Sequence, residues 1–296
     1  MRIVSLLPSA TEILFAVGAG DDVVGVTFEC DYPPEARKRR IVSTSALPDG
    51  LSASEIDQLV AARMKAGEDL YHLDEGALRE LDPDLVVTQD LCAVCAVDIS
   101  AVDEALDYLG CRAEVLTLDP QNLRQVLDSV RHVGAAVGRD AAAQALVSSL
   151  HARLDAVARA VRGRPRVPTM VLEWTDPPYA PGHWVPDMVT VAGGTPVLGQ
   201  AGERSYRTTW GAVAEAEPQV VVCAPCGYNL QESMRLAELV ASHKVLSDGT
   251  ELWAVDANAS YARPGPRIVD GVEALAALLH PESGLPLDPT LARRLR

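Results

Sequence analysis

Short runs of apolar residues alternate with stretches whose apolar residues recur every three or four positions. Residues 2–6 form a β-rich run. Ser9-Ala-Thr-Glu12 then gives a capping-box pattern that opens a helix through Val17. Gly18 and Gly20 end that helix, and residues 23–26 form a second buried-strand run. Strand, helix and strand follow one another with no room for a hairpin, so a parallel pair is expected. Residues 85–88 and 113–118 continue the alternation, which is the βαβ signature of an α/β lobe.

From residue 122 to 161 the period becomes purely helical, carried by Leu123, Val126, Leu127, Val130, Val133 and Val137, then Leu146, Leu150, Leu154 and Val157. Gly134 and Gly138 are expected to break this stretch into a shorter helix and a long one. A second α/β run follows. Strands are predicted over 169–172, 220–223 and 252–255, and helices near 186–192, 210–216, 230–241 and 266–279. The Pro-rich tail from Pro281 is expected to be peripheral.

The two α/β runs echo each other. Residues 76–87 (GALRELDPDLVV) align without a gap to residues 211–222 (GAVAEAEPQVVV). Each segment is a helix that ends in an acidic residue and a proline and feeds a buried strand. The resulting expectation is an α/β protein of two Rossmann-like lobes joined by a long bridging helix. It assigns 1–121 to the first lobe, 122–163 to the bridge, 164–280 to the second lobe and 281–296 to the tail.

Composition narrows the partners. Asp and Glu outnumber Lys and Arg 41 to 26, for a net charge of −15. Nucleic acid and anionic membrane surfaces are therefore poor partners. No run of apolar residues is long enough to span a bilayer. Pro8, Ser9, Thr11 and Glu12 interrupt the apolar N-terminus before a cleavage site of the secretory kind, so a cytoplasmic location is expected, with a reducing environment for the six cysteines, and a periplasmic or extracellular one only if a leader has been removed. There is no Gly-rich phosphate loop, no defensible Ser-His-Asp order and no His-Glu-x-x-His, and the chain reads as a binding protein more than an enzyme.

The opening Arg2-Ile-Val-Ser-Leu-Leu-Pro-Ser-Ala-Thr-Glu-Ile-Leu, followed by Val23-Val-Gly-Val, resembles the class III substrate-binding proteins of ABC importers for vitamin B12, haem and iron-siderophores. The paired Pro-Asp-Leu-Val-Val and Pro-Gln-Val-Val-Val steps, the bridging helix and Arg263-Pro-Gly-Pro-Arg267 resemble that family too, over nearly the whole chain to about residue 280. The resemblance implies two rigid lobes with little hinge motion and a ligand cleft between them. It also implies docking on a membrane permease through a glutamate of each lobe. The aligned positions here are Gly76 and Gly211, which departs from the pattern and leaves the permease partner open.

Ligands of open α/β sheets lie beyond the carboxyl ends of the strands. Cys30, Cys92, Cys95 and Cys226 all follow predicted strands, and a Cys-x-x-Cys turn with two further thiolates suits zinc or an iron–sulfur cluster. Cys111 and Cys223 read as core residues. Aromatic residues are only 4% of the chain, yet Tyr71, His72, Trp174, Tyr179, His183, Trp184 and Trp210 fall on predicted loops of this kind. Flat rings there suit a corrin or porphyrin face. His183 is a candidate ligand to cobalt or iron, and Arg263 and Arg267 are candidates for a carboxylate or phosphate beside the helix that begins near Pro266. Two readings stand together. One is a non-enzymatic protein that holds a cobalamin-like corrinoid or another metal chelate. The alternative is a metal or iron–sulfur protein built on the four cysteines.

Overall fold

The computed structural model describes residues 1–66, 68, 70–89 and 113–296. Its contacts divide the chain into two compact units. One comprises Met1–Pro120 and Leu127–Ser148, the other Gln121–Val126 and Ser149–Arg296.

The first unit is laid down as β1 (Ile3–Ser5), α1 (Pro8–Ala16), β2 (Val23–Thr27), β3 (Arg40–Ser45), α2 (Ala53–Ala66), β4 (Tyr71–Leu73), α3 (Glu75–Leu81), β5 (Leu85–Gln89) and β6 (Glu114–Leu118). The described strands form one sheet in the order β4-β3-β2-β1-β5-β6, parallel throughout except for β4 on β3. The parallel pair predicted for residues 2–6 and 23–26 is present, with Ile3 opposite Val23. Helix α1 differs from its predicted start. It begins at Pro8, whose missing N–H costs nothing in a first turn, and no side chain caps it. The residues of the supposed capping box are buried instead. The hydroxyl of Thr11 donates to Ser5 Oγ at 2.9 Å, and Ser5 donates to the carbonyl of Leu7 at 3.1 Å.

Two helices, α4 (Leu123–Ala136) and α5 (Asp140–Ala160), pass from one unit to the other. The Asn122 side chain accepts the N–H of Gln125, and Asp187 accepts that of Leu123, so the first turn of α4 is satisfied. Of the two expected breaks, only Gly138 is one, at φ 65°. Gly134 stays helical and serves a close approach, since a Cβ there would lie 2.3 Å from that of Ala143.

The second unit continues with β7 (Val167–Leu172), β8 (Trp174–Thr175), β9 (Pro178–Ala180), α6 (Val185–Val191), β10 (Gly194–Pro196), β11 (Tyr206–Arg207), α7 (Trp210–Glu215), β12 (Val220–Cys223), α8 (Leu230–Ser242), β13 (Glu251–Val255), α9 (Ala257–Ser260), α10 (Ile268–Leu279) and β14 (Ala292–Arg294). Strands β10-β7-β12-β13 are parallel, and β14 adds an antiparallel edge. A separate three-stranded sheet, β11-β9-β8, branches off just past β7. Arg153 of α5 ties α10 down by donating to both Glu273 and Asp270, and these hydrogen bonds, Glu273 first, hold its guanidinium charged more firmly than usual. Among the described residues no helix is long and apolar enough to cross a membrane.

The sequence echo is a structural repeat. Asp74 accepts the N–H of Ala77 at 2.9 Å to cap α3, and Thr209 accepts that of Ala212 at 3.1 Å to cap α7. The helices end on aligned left-handed residues, Asp82 (φ 41°) and Glu217 (φ 47°). The aligned Asp84 and Gln219 then donate their N–H groups to neighbouring strands, at Arg2 and Pro168, and accept from Glu114 and Glu251.

The tail is a correction. Beyond pairing with β13, Leu295 donates its N–H to Leu252 at 2.8 Å and packs against the core of the second unit. Arg296 donates to the carbonyls of Thr250 and Ser247. Ending the chain at residue 290 should therefore lower the midpoint of thermal unfolding by about 5 °C or more, and an unchanged melt would show that the tail is idle. Cys223, as expected, is a core residue, and burial pushes its thiol up to about 12. Its folded pKa is raised, so its stabilising effect is complete below the unfolded value of 9.0 and declines as pH rises towards 12. Iodoacetamide at pH 8 should modify the exposed Cys226 in the native protein and Cys223 only after unfolding, as peptide mapping would show.

Candidate functional site

In the first unit, β2 runs into Phe28 and Cys30. Cys30 is 3% exposed, and its Sγ lies 3.0 Å from the Thr11 hydroxyl, so the thiol is packed beneath α1. Phe28 is exposed, and its ring lies 6.2 Å from that of Tyr71. Tyr71 and His72 are on a strand, not on the expected loop. Tyr71 stands opposite Ser45 at the carboxyl end of β3, packs on the apolar cluster of Val4, Val42 and Leu78, and is half-buried. His72, opposite Thr44, is exposed. The signal for β4 was weak because Tyr-His-Leu at a sheet edge shows no useful period.

The second unit presents a more organised surface. Glu173 follows β7 directly, and its backbone and side chain tie strand β9 to two loops. Its N–H donates to the Tyr179 carbonyl, its carbonyl accepts from Cys226 at 3.1 Å, and its carboxylate accepts the N–H of Gly182 at 3.1 Å. On the small sheet Trp174 stands opposite Tyr179, and Tyr179 opposite Arg207. Directly opposed residues share a face. The other face carries Thr175, Pro178 and Ala180, all buried, and the exposed Tyr206 at its β11 end, so the row Trp174–Tyr179–Arg207 lies on the more open face. The Trp174 indole donates to the Asp176 carbonyl at 3.1 Å, and its ring lies 5.6 Å from that of Tyr228 at 60°. Burial, then the charge of Glu232, raises the Tyr228 hydroxyl above its ordinary pKa.

The remaining candidates are scattered around this surface. His183 has φ 50°, donates its N–H to the Glu203 carbonyl at 2.7 Å and lies 5.7 Å, ring to ring, from Trp184. Trp184 is a core residue and not a wall, because it is 6% exposed and its indole donates to the Tyr261 carbonyl at 2.8 Å. Trp210 opens α7, packs on the core of its unit and lies 6.4 Å from the His243 ring. Arg263 and Arg267 are partly buried, and α10 begins at Ile268, with Arg267 as its cap, rather than at Pro266. Sequence reasoning missed Phe28, Tyr228 and Arg207. The first two follow β2 and β12 and were open to the strand-end rule, whereas a two-residue strand leaves no periodic trace to reveal Arg207.

The four-cysteine reading gains no support. Cys92, Cys95 and Cys111 lie outside the described residues, Cys30 is buried against Thr11 in the first unit, and Cys226 is exposed in the second. Among the described residues no group of three or more His, Cys, Asp or Glu side chains is placed to hold a zinc ion or another metal.

The comparisons agree with the geometry. The family described as periplasmic binding protein matches residues 3–247. The chain is 24% identical to the uncharacterized ABC transporter substrate-binding lipoprotein YvrC of Bacillus subtilis, over 95% of this chain and 81% of that protein. It is 26% identical to a vitamin B12-binding protein of Vibrio cholerae, over 94% of this chain and 88% of that one. A periplasmic heme-binding protein from Pseudomonas aeruginosa shares the fold with a TM-score of 0.71 at 18% identity, covering 99% of this chain and 97% of its own. This chain is a substrate-binding protein rather than an enzyme, and it belongs to the periplasmic binding protein family.

Proposed function

We propose that this protein binds a flat metal chelate, a cobalamin-like corrinoid or a related ring, without transforming it. The observation that carries this reading is the outward aromatic row of Trp174 and Tyr179, continued by Tyr228, beyond the carboxyl ends of β7 and β12. Rings of this kind offer large area with few rotatable bonds, which suits a ligand that is itself rigid and planar. The hydrogen bonds through Glu173 fix the row before any ligand arrives. Relatives named for vitamin B12 and heme support the ligand class.

A membrane permease is the partner this reading implies, as the name of the Bacillus relative suggests. Gly76 and Gly211 lie in the first turns of α3 and α7, so a dock of the glutamate kind would need other residues on those helices, such as Glu75.

Absorbance titration with cyanocobalamin and with haemin tests the reading. At least one should give a saturable spectral change at micromolar concentration. Trp174→Ala should weaken that binding by about three- to tenfold, the worth of one stacked ring. No saturable change with either compound would defeat the proposal.

A further inference from the structure

The outward row has a cationic end. Arg207 on β11 is the cross-strand neighbour of Tyr179, which is the neighbour of Trp174, so one guanidinium and two rings line one face of the small sheet. We infer that Arg207 selects, among flat metal chelates, those that carry carboxylates on the rim of the ring. This rests on the binding reading above and adds the charge of the ligand to it.

Three observations carry the inference. The position of Arg207 is built, not incidental. The N–H of Thr208 donates to the Pro178 carbonyl at 2.8 Å, that of His183 to the Glu203 carbonyl at 2.7 Å, and that of Gly202 to the His183 carbonyl at 3.0 Å. A Cβ on Gly182 would lie 2.2 Å from the backbone nitrogen of Ser205, so the strand carrying Arg207 sits hard against the loop that follows β9. Second, Arg207 is exposed, as is Tyr206 beside it on the other face, while Thr175, Pro178 and Ala180 behind the two rings are buried. With five N–H donors, a guanidinium can serve a neighbour in the protein and a ligand carboxylate together. Third, the net charge of −15 repels an anionic ligand at a distance. A carboxylated ring bound here would need a local cation, and a bidentate arginine at the edge of a stacking surface supplies one.

The experiment compares haemin with its dimethyl ester, which keeps the ring and metal and removes both carboxylates. Cyanocobalamin serves as a third ligand. Wild-type protein should bind haemin about ten- to a hundredfold more tightly than the ester, as a charge-assisted bidentate pair implies. Arg207→Gln should erase that preference while leaving the ester's affinity within about twofold of wild type, and Arg207→Lys should restore part of it. Circular dichroism would confirm that both variants fold. Equal affinity of wild type for haemin and ester would overturn the inference, as would an equal loss for both rings in Arg207→Gln. Binding of cyanocobalamin with no binding of haemin would overturn it and leave the binding reading standing. Failure of all three ligands would overturn both.

Discussion

A parallel strand covered on both faces has no place for a polar side chain except at its ends, because an unpaired polar group in that position costs more than it contributes. Val86 and Val87 of β5 and Val221 and Val222 of β12 are wholly buried, and nothing along them can carry recognition. The chemistry of each unit is therefore displaced to where the strands stop, at Phe28 and Tyr71 in one and at Glu173, Trp174 and Tyr228 in the other. Even the hydroxyls that enter the interior, Ser5 and Thr11, spend their hydrogen bonds on each other and on a carbonyl.

The same constraint explains what could be read from the sequence. Strands such as β2, β5 and β12 are unbroken apolar runs because both faces are buried, and they are legible for that reason. Strand β3, Arg-Ile-Val-Ser-Thr-Ser, buries only Val42 and Ser43, so its pattern is that of a loop. The small sheet is invisible because its elements are two or three residues long and rest on register rather than period. Trp184 shows the opposite failure. Its neighbours Gly182 and Pro186 mark a loop, yet tertiary packing draws the indole into the core, where the Tyr261 carbonyl receives it. Aromatic residue type alone could not separate Trp174 from Trp184. Their separation depends on contacts distant in sequence.

The repeat shows how local and global preferences were reconciled. Asp82 and Glu217 adopt a left-handed backbone, which glycine would accept with less strain. Each is followed by proline, which already steers the preceding residue away from a further helical turn. The helix stops, the chain reverses and the strand begins on schedule in both units, although the helices themselves share few residues. What persists between the two copies is the pattern of backbone hydrogen bonds, made by Asp84 in one and Gln219 in the other.

Strand β14 decides how the second sheet terminates. It covers the edge of β13 with an antiparallel partner, and that edge would otherwise present an unpaired ladder of N–H and C=O groups to solvent. An open edge of that kind is a template for strands of other chains, so three residues outside the ligand-facing loops guard this sheet against edge-to-edge association.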